Sequence, residues 1–89
     1  MTTAESGDTR PLARRIADVV LAVPGVVDLH SGLFGEVATY LPGGRVSGVS
    51  LDDDSGRVHL VVDIHHDLRS VAHEAAVAAS EVAGFPISV

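Results

Sequence analysis

The first third of the chain carries apolar residues with the spacing of one buried helical face. This face consists of Leu12, Ile16, Val19, Val20 and Val23. Thr9 precedes it as a candidate N-cap, and Pro11 is compatible with a first helical turn. Pro24-Gly25 ends the pattern, because neither residue readily continues a helix.

A second helical pattern covers residues 67–83. The side chains predicted to face inward are Leu68, Val71, Ala72, Ala75, Ala78, Ala79 and Val82. Gly84 follows at the position where helices commonly end in the left-handed conformation. The pattern therefore predicts a helix of about four turns with a glycine stop.

Outside the helices, apolar and polar residues alternate in the manner of strands. We expect strands at residues 26–30, 36–41, 46–51, 57–65 and 85–89, with a hairpin turn at 52–56. One face of the longest strand is predicted to consist of Val58, Leu60, Val62 and Ile64. The opposite face would consist of His59, Val61, Asp63 and His65.

The element order α-β-(β)-β-β-α-β predicts the α+β class. We expect a two-layer sandwich in which two helices pack on one face of a small mixed β-sheet. A chain of 89 residues suffices for one domain, placed at residues 9–89 after a disordered segment at residues 1–8. The glycine-rich residues 32–45 are expected to lie outside the core and to be mobile or ordered by a ligand.

The composition excludes several classes of site. Hydrophobic residues make up 46% of the chain, but only Phe34, Tyr40 and Phe85 are aromatic, which disfavours a deep aromatic-lined pocket. The chain has no cysteine, so disulfides, thiolate nucleophiles and cysteine-ligated zinc are excluded. The formal net charge of −6 disfavours nucleic acid as a partner, because phosphate binding depends on clustered lysine and arginine.

The sequence shows no targeting or membrane segment. Its first ten residues are polar rather than signal-like, and its apolar runs fall far short of the roughly 20 residues that cross a bilayer. We therefore expect a cytoplasmic protein with no direct membrane insertion. Any recruitment to the inner face of the membrane would depend on a partner.

Candidate chemistry is sparse. The five histidines suggest metal binding, but His59 and His65 would lie roughly 20 Å apart along a strand. His66 and His73 lack the i, i+3 or i, i+4 spacing that brings two side chains together on a helix. Residues 52–56 lack the register of a calcium loop, and no serine lies in a nucleophile motif. We predict no catalytic, cofactor-binding or metal-ligating residues, and a protein that is not an enzyme.

Three apolar residues fall on faces that the patterns assign to solvent. Leu21 lies beside Arg14, away from the buried face of the first helix. Val77 lies on the polar face of the second helix, and Val61 lies on the outward face of the longest strand. We predict that Leu21, Val61 and Val77 form contact surfaces through which the chain associates with itself, as a dimer.

Three segments of the chain resemble a known family. They are Arg15-Ile16-Ala17 with Val23-Pro24-Gly25-Val26, residues 35–46 with Gly48-Val49, and residues 58–63. In this order they resemble the alkaline shock protein family, the envelope stress response proteins of Gram-positive bacteria, in its short actinobacterial form. The resemblance implies a cytoplasmic protein without catalysis that self-associates and docks to a small membrane-anchored partner.

The sequence thus predicts a non-enzymatic adaptor or scaffold of the alkaline shock type, linked to the envelope stress response through protein–protein contacts. Two alternatives from other classes stay open. One is a KH-like nucleic-acid-binding module, because Gly32-Leu33-Phe34-Gly35 matches the G-x-x-G clamp by letters. The other is a small histidine-based metal-binding domain.

Overall fold

The computed structural model describes residues 9–89, which contain two helices and seven short strands. The helices are α1 (Leu12–Leu21) and α2 (Leu68–Ala83). The strands are β1 (Val26–Leu29), β2 (Ala38–Leu41), β3 (Gly44–Ser47), β4 (Val49–Leu51), β5 (Gly56–Val58), β6 (Leu60–Val62) and β7 (Ile87–Ser88). These elements confirm the predicted α+β class. The predicted disorder of residues 1–8 lies outside the described residues.

Helix α1 begins after Pro11 rather than after the predicted cap, Thr9. Pro11 has φ −54° and ψ 144°, so it lies outside the helix. Its φ is close to the value that the proline ring imposes. Its carbonyl accepts hydrogen bonds from the N–H groups of Arg14 and Arg15, at 3.1 and 3.2 Å. The Thr9 prediction is therefore wrong, because the proline itself occupies the capping position. The buried residues of α1 are Ala13, Ile16, Ala17 and Val20.

Helix α2 ends at the predicted residue, Ala83, and begins at Leu68, one residue after the predicted start. Asp67 caps its N-terminus, where the carboxylate accepts a hydrogen bond from the Arg69 N–H at 3.2 Å. Gly84 ends the helix with a φ of 80°, a left-handed conformation that glycine adopts without steric cost. The buried residues Val71, Ala75 and Ala79 join those of α1 in one hydrophobic core.

The strands form three small sheets rather than one. β1 pairs with β6 and β2 with β3, while β5 lies between β4 and β7. The β5–β7 pairing is parallel, and the predicted hairpin turn joins β4 to β5 in antiparallel register. The predicted strands at 46–51 and 57–65 are interrupted at Gly48 and His59. Apolar alternation continues across His59, so the sequence pattern does not reveal that interruption. At Gly48 the apolar positions shift from Val46 to Val49, and a glycine within a strand pattern is a local signal of a break.

Gly48 and His59 form a backbone junction that links the three sheets. The Gly48 N–H donates to the Val37 carbonyl at 2.8 Å, and the Gly48 carbonyl accepts from the His59 N–H at 2.9 Å. The His59 carbonyl in turn accepts from the His30 N–H at 3.0 Å. Gly48 has a φ of 83° and is buried, so this position favours glycine.

The longest predicted strand ends at Val62 and not at His65. Asp63 turns the chain, since its carboxylate accepts from the His65 N–H at 2.9 Å and its carbonyl from the His66 N–H at 3.0 Å. Aspartate commonly makes such turns through its own side chain. Ile64 is consequently almost fully exposed, and its predicted place on the core-facing side is wrong.

The prediction that residues 32–45 lie outside the core is wrong at Val37, whereas the turn residues of this segment are exposed or half-buried. Its mobility stays a prediction. Val37 is fully buried. β2 pairs with β3 from Ala38 opposite Ser47 to Leu41 opposite Gly44. Pro42 and Gly43 form the turn between β2 and β3, and Gly32 and Gly35 belong to the loop before β2.

Candidate functional site

An apolar groove of about 480 Å³ lies between β6 and the N-terminal part of α2. Its apolar lining comes mainly from β6, from Leu68 and Ala72 of α2, and from Val89. His30 and His59 supply the polar part of the lining. The described lining residues include no aspartate or glutamate, although the chain has 12 acidic residues. The groove is therefore both apolar and low in charge.

The positions of β6 and α2 explain why the groove is apolar. Alternation along β6 turns Val61 outward while Leu60 and Val62 pack against the core. Leu68 is the first residue of α2, and its side chain is 64% exposed. The first buried residue of this helix is Val71. The prediction that Leu68 faces inward is therefore wrong. Its exposure places a large aliphatic side chain beside Val61 in the groove wall.

The groove suits the burial of an apolar group better than a chemical reaction. Its titratable side chains are those of His30 and His59, and the His30 Nδ1 already accepts a hydrogen bond from the Gly32 N–H at 2.9 Å. Covalent catalysis requires a nucleophile activated by an adjacent base. The lining residues that the structure describes include no serine, threonine or lysine that could act in this way.

The structure separates the three predicted contact residues. Val61 is 40% exposed and lines the groove. Val77 is 43% exposed and lines a smaller depression of about 360 Å³, beside Glu74 and Glu81. Leu21 is also exposed but lines neither of these two depressions. The exposure of all three residues is confirmed, and their role in contacts stays a prediction.

The glycine loop before β2 presents two further apolar side chains, which the sequence analysis did not assign to a contact surface. Leu33 and Phe34, together called the tip below, are 84% and 88% exposed. The loop closes where the Val37 N–H donates to the Ser31 carbonyl at 2.8 Å. The signal available in the sequence was a pair of large apolar residues enclosed by glycines, a pattern typical of a projecting turn.

Glu36 organises the tip from within the loop. Hydrogen bonds from its own backbone N–H and from that of Phe34 lower the pKa of the Glu36 carboxyl, since both stabilise the ionised form. The Phe34 bond measures 3.0 Å. The Gly35 N–H donates to the Gly32 carbonyl at 3.2 Å, and the Gly32 N–H donates to His30. The loop amides are thus engaged within the chain.

The histidines do not assemble a metal centre in the described part of the chain. Within residues 9–89, no three His, Asp or Glu side chains come close enough to hold a metal ion together. The His66 Nδ1 lies 3.9 Å from the Asp63 Oδ2 across the turn that follows β6, and both side chains are substantially exposed. An exposed pair of this kind contributes little to stability.

Comparison with known proteins adds no functional assignment. No family model, no curated protein and no solved structure matches this chain. In the part of the chain that the structure describes, none of the helices has the length and apolar character needed to cross a membrane. The functional interpretation therefore depends on the groove, the tip and the distribution of charge.

Proposed function

We propose that this protein is a non-enzymatic adaptor that works through protein–protein contacts, including contact with a second copy of itself. The observation that carries the proposal is the apolar groove, where Val61, Leu68 and Val89 leave aliphatic surface exposed next to two histidines. Exposed apolar surface with a polar rim is typical of protein interaction sites. A chain of 89 residues also gains stability by burying such surface against a copy of itself.

The groove supplies a limited driving force for association. Full burial of a Val or Leu side chain contributes about 1.5–3 kcal/mol. Val61, Leu68 and Val89 are each about half exposed, so their complete burial contributes roughly 3 kcal/mol per copy. Two copies contribute roughly 6 kcal/mol, near the lower end of the ~4–15 kcal/mol cost of association. A dimer that uses the groove alone is therefore weak and depends on concentration.

The charge distribution favours self-contact at this groove over other depressions. Two copies, each with a net charge of −6, repel wherever acidic residues meet. The depression at Val77 is flanked by Glu74 and Glu81, and a polar depression beside β5 includes Asp52. The described lining of the groove has no carboxylate side chain. Of these three depressions, only the groove has a lining without a carboxylate side chain, and the nearest acidic residue in the strand pairing is Asp28, opposite Val61 on β1.

The resemblance to the alkaline shock family supplies the cellular setting of the proposal. It supports a cytoplasmic adaptor linked to the envelope stress response and brought to the inner face of the membrane by a small membrane-anchored protein. A groove that accepts an apolar segment can bind either a second copy of the chain or a segment of a partner. The two would then compete for the same surface. Self-contact is the interaction that we propose for the groove.

The glycine loop gives less support to the KH-like alternative. A G-x-x-G clamp binds the nucleic acid backbone, yet the amides of Gly32, Phe34 and Gly35 are engaged within the chain. Glu36 also places a carboxylate where a phosphate would approach. These observations and the acidic net charge favour an adaptor over a nucleic-acid-binding module.

Two matched substitutions test the proposal. Of the three predicted contact residues, we retain Val61 and treat Val77, which shares its depression with Glu74 and Glu81, as the control. Val61→Asp places a charge in the groove, and Val77→Asp places the same charge at a position of nearly equal exposure on α2. We expect light scattering to show a lower mass for Val61→Asp at concentrations where the unmodified chain and Val77→Asp are dimeric. Urea unfolding of all three proteins checks that the fold survives. Equal masses for the two variants would contradict the proposed contact surface.

A further inference from the structure

We infer that the tip of a second copy, Leu33 and Phe34, occupies the groove at Val61, and that the arrangement is reciprocal. This inference rests on the proposed self-association and adds the segment that fills the groove. The tip is a projecting apolar knob, and the groove is an apolar concavity of about 480 Å³. Concavities of roughly 300–1,000 Å³ are large enough to bury groups the size of these side chains.

Hydrogen bonds within the loop support the tip. The Phe34 N–H donates to the Glu36 carboxylate at 3.0 Å, and the Val37 N–H donates to the Ser31 carbonyl at 2.8 Å. The Gly35 N–H donates across the turn to Gly32. A knob held by its own backbone loses little conformational entropy on binding, which favours affinity.

The tip and the groove adjoin each other on the molecule. His30 lines the groove, and its imidazole accepts a hydrogen bond from Gly32, the residue directly before the tip. A surface with a knob next to a concavity can pair with a copy of itself about a twofold axis, so that each tip enters the other groove. This closed arrangement covers the tips and grooves of both copies at once.

The charges near the tip allow two acidic chains to meet there. Leu33 and Phe34 are uncharged, and the described lining of the groove has no acidic side chain. Glu36 is the acidic residue nearest to the tip in the sequence, and its hydrogen bonds direct its carboxylate to the backbone of the loop. The tip of a second copy, Leu33 and Phe34, therefore enters the groove without a carboxylate of its own.

Single cysteines test this contact, because the chain has no cysteine of its own. A Phe34→Cys chain and a Val61→Cys chain, tagged to differ in mass, are mixed under mild oxidation. A disulfide requires Cβ atoms about 3.5–4.5 Å apart, so it reports contact between tip and groove. We expect the mixed disulfide to form at least about tenfold faster than in a mixture with Val77→Cys in place of Val61→Cys, because association raises the effective concentration. Thermal unfolding under reducing conditions checks that each variant is folded.

The products distinguish the inference from the broader proposal. Equal rates for the Val61→Cys and Val77→Cys mixtures would overturn the inference. Faster linkage of Val61→Cys chains to each other would also overturn it, yet would leave the proposed self-association intact. A chain with both Phe34→Cys and Val61→Cys should give covalent dimers. A disulfide within one monomer, or a ladder of larger products, would instead overturn the reciprocal arrangement.

Discussion

Substitution of Gly48 by alanine is expected to disrupt the junction that links the three sheets. Gly48 has a φ of 83°, and a Cβ atom there would lie 2.8 Å from the Leu29 Cβ and 2.9 Å from the His30 backbone nitrogen. It would also lie 3.2 Å from the His59 carbonyl oxygen. Carbon atoms in favourable contact are about 3.5–4.0 Å apart. No side-chain rotation relieves this crowding, because the neighbouring atoms belong to the backbone or adjoin it.

The expected loss of stability has two sources. A left-handed conformation costs an alanine about 1–2 kcal/mol relative to glycine, and displacement of packed groups adds about 1–3 kcal/mol. Gly48→Ala should therefore lower the free energy of unfolding by roughly 2–5 kcal/mol. Gly43 provides the control, since its φ is 81° and no described atom lies within 4 Å of a Cβ built there. Gly43→Ala should cost only about 1–2 kcal/mol.

Urea unfolding measures the difference between the two variants. A lower midpoint with an unchanged slope reports a loss of stability rather than a change in the surface exposed on unfolding. In a domain of this size, each kcal/mol corresponds to roughly 4–8 °C in the midpoint of thermal unfolding. We expect Gly48→Ala to unfold at least about 4 °C below Gly43→Ala. Equal midpoints would refute the reasoning, because they would show that crowding at the junction carries no cost.

Two further predictions concern the start of α2 and the tip. Asp67→Ala should lower the free energy of unfolding by about 1 kcal/mol, because it removes the carboxylate that accepts hydrogen bonds from the Arg69 N–H and the Ser70 hydroxyl. Urea unfolding measures this loss, and an unchanged midpoint would argue against the cap. Because the pKa of Glu36 is lowered, its ionised carboxylate accepts the Phe34 N–H bond at full strength above pH ~4.3, the ordinary glutamate pKa. The bond weakens as the pH falls through the lower pKa that Glu36 has in the folded protein. The Phe34 amide resonance should therefore titrate below pH ~4.3, and Glu36→Gln should abolish that titration; a midpoint at or above ~4.3 would contradict the assignment.

The parts of the fold that could be predicted have local determinants. Helix α2 was placed correctly because Asp67, Gly84 and the apolar spacing between them lie within one segment. The breaks at Gly48 and His59 depend on hydrogen bonds to residues more than ten positions away. The break at His59 leaves no mark on local alternation, so that strand was predicted as continuous. The break at Gly48 does leave one, because the apolar positions shift from Val46 to Val49, and the strand prediction overlooked it.

The candidate site could be predicted only in part for the same reason. Strand alternation predicted that Val61 faces outward, and its exposure confirms this. A helical wheel placed Leu68 inward, because it cannot show that the core ends before the first turn of α2. Leu33 and Phe34 have the composition of core residues, and the hydrogen bonds of Glu36 hold them in a loop that projects into solvent.

The mass of the unmodified protein in solution tests the central claim most directly. Light scattering should be measured from low to high micromolar concentration, because a contact driven by a few aliphatic side chains depends on concentration. We expect the mass to rise from 9.2 kDa toward twice that value. A protein that stays at 9.2 kDa up to high micromolar concentration would contradict it.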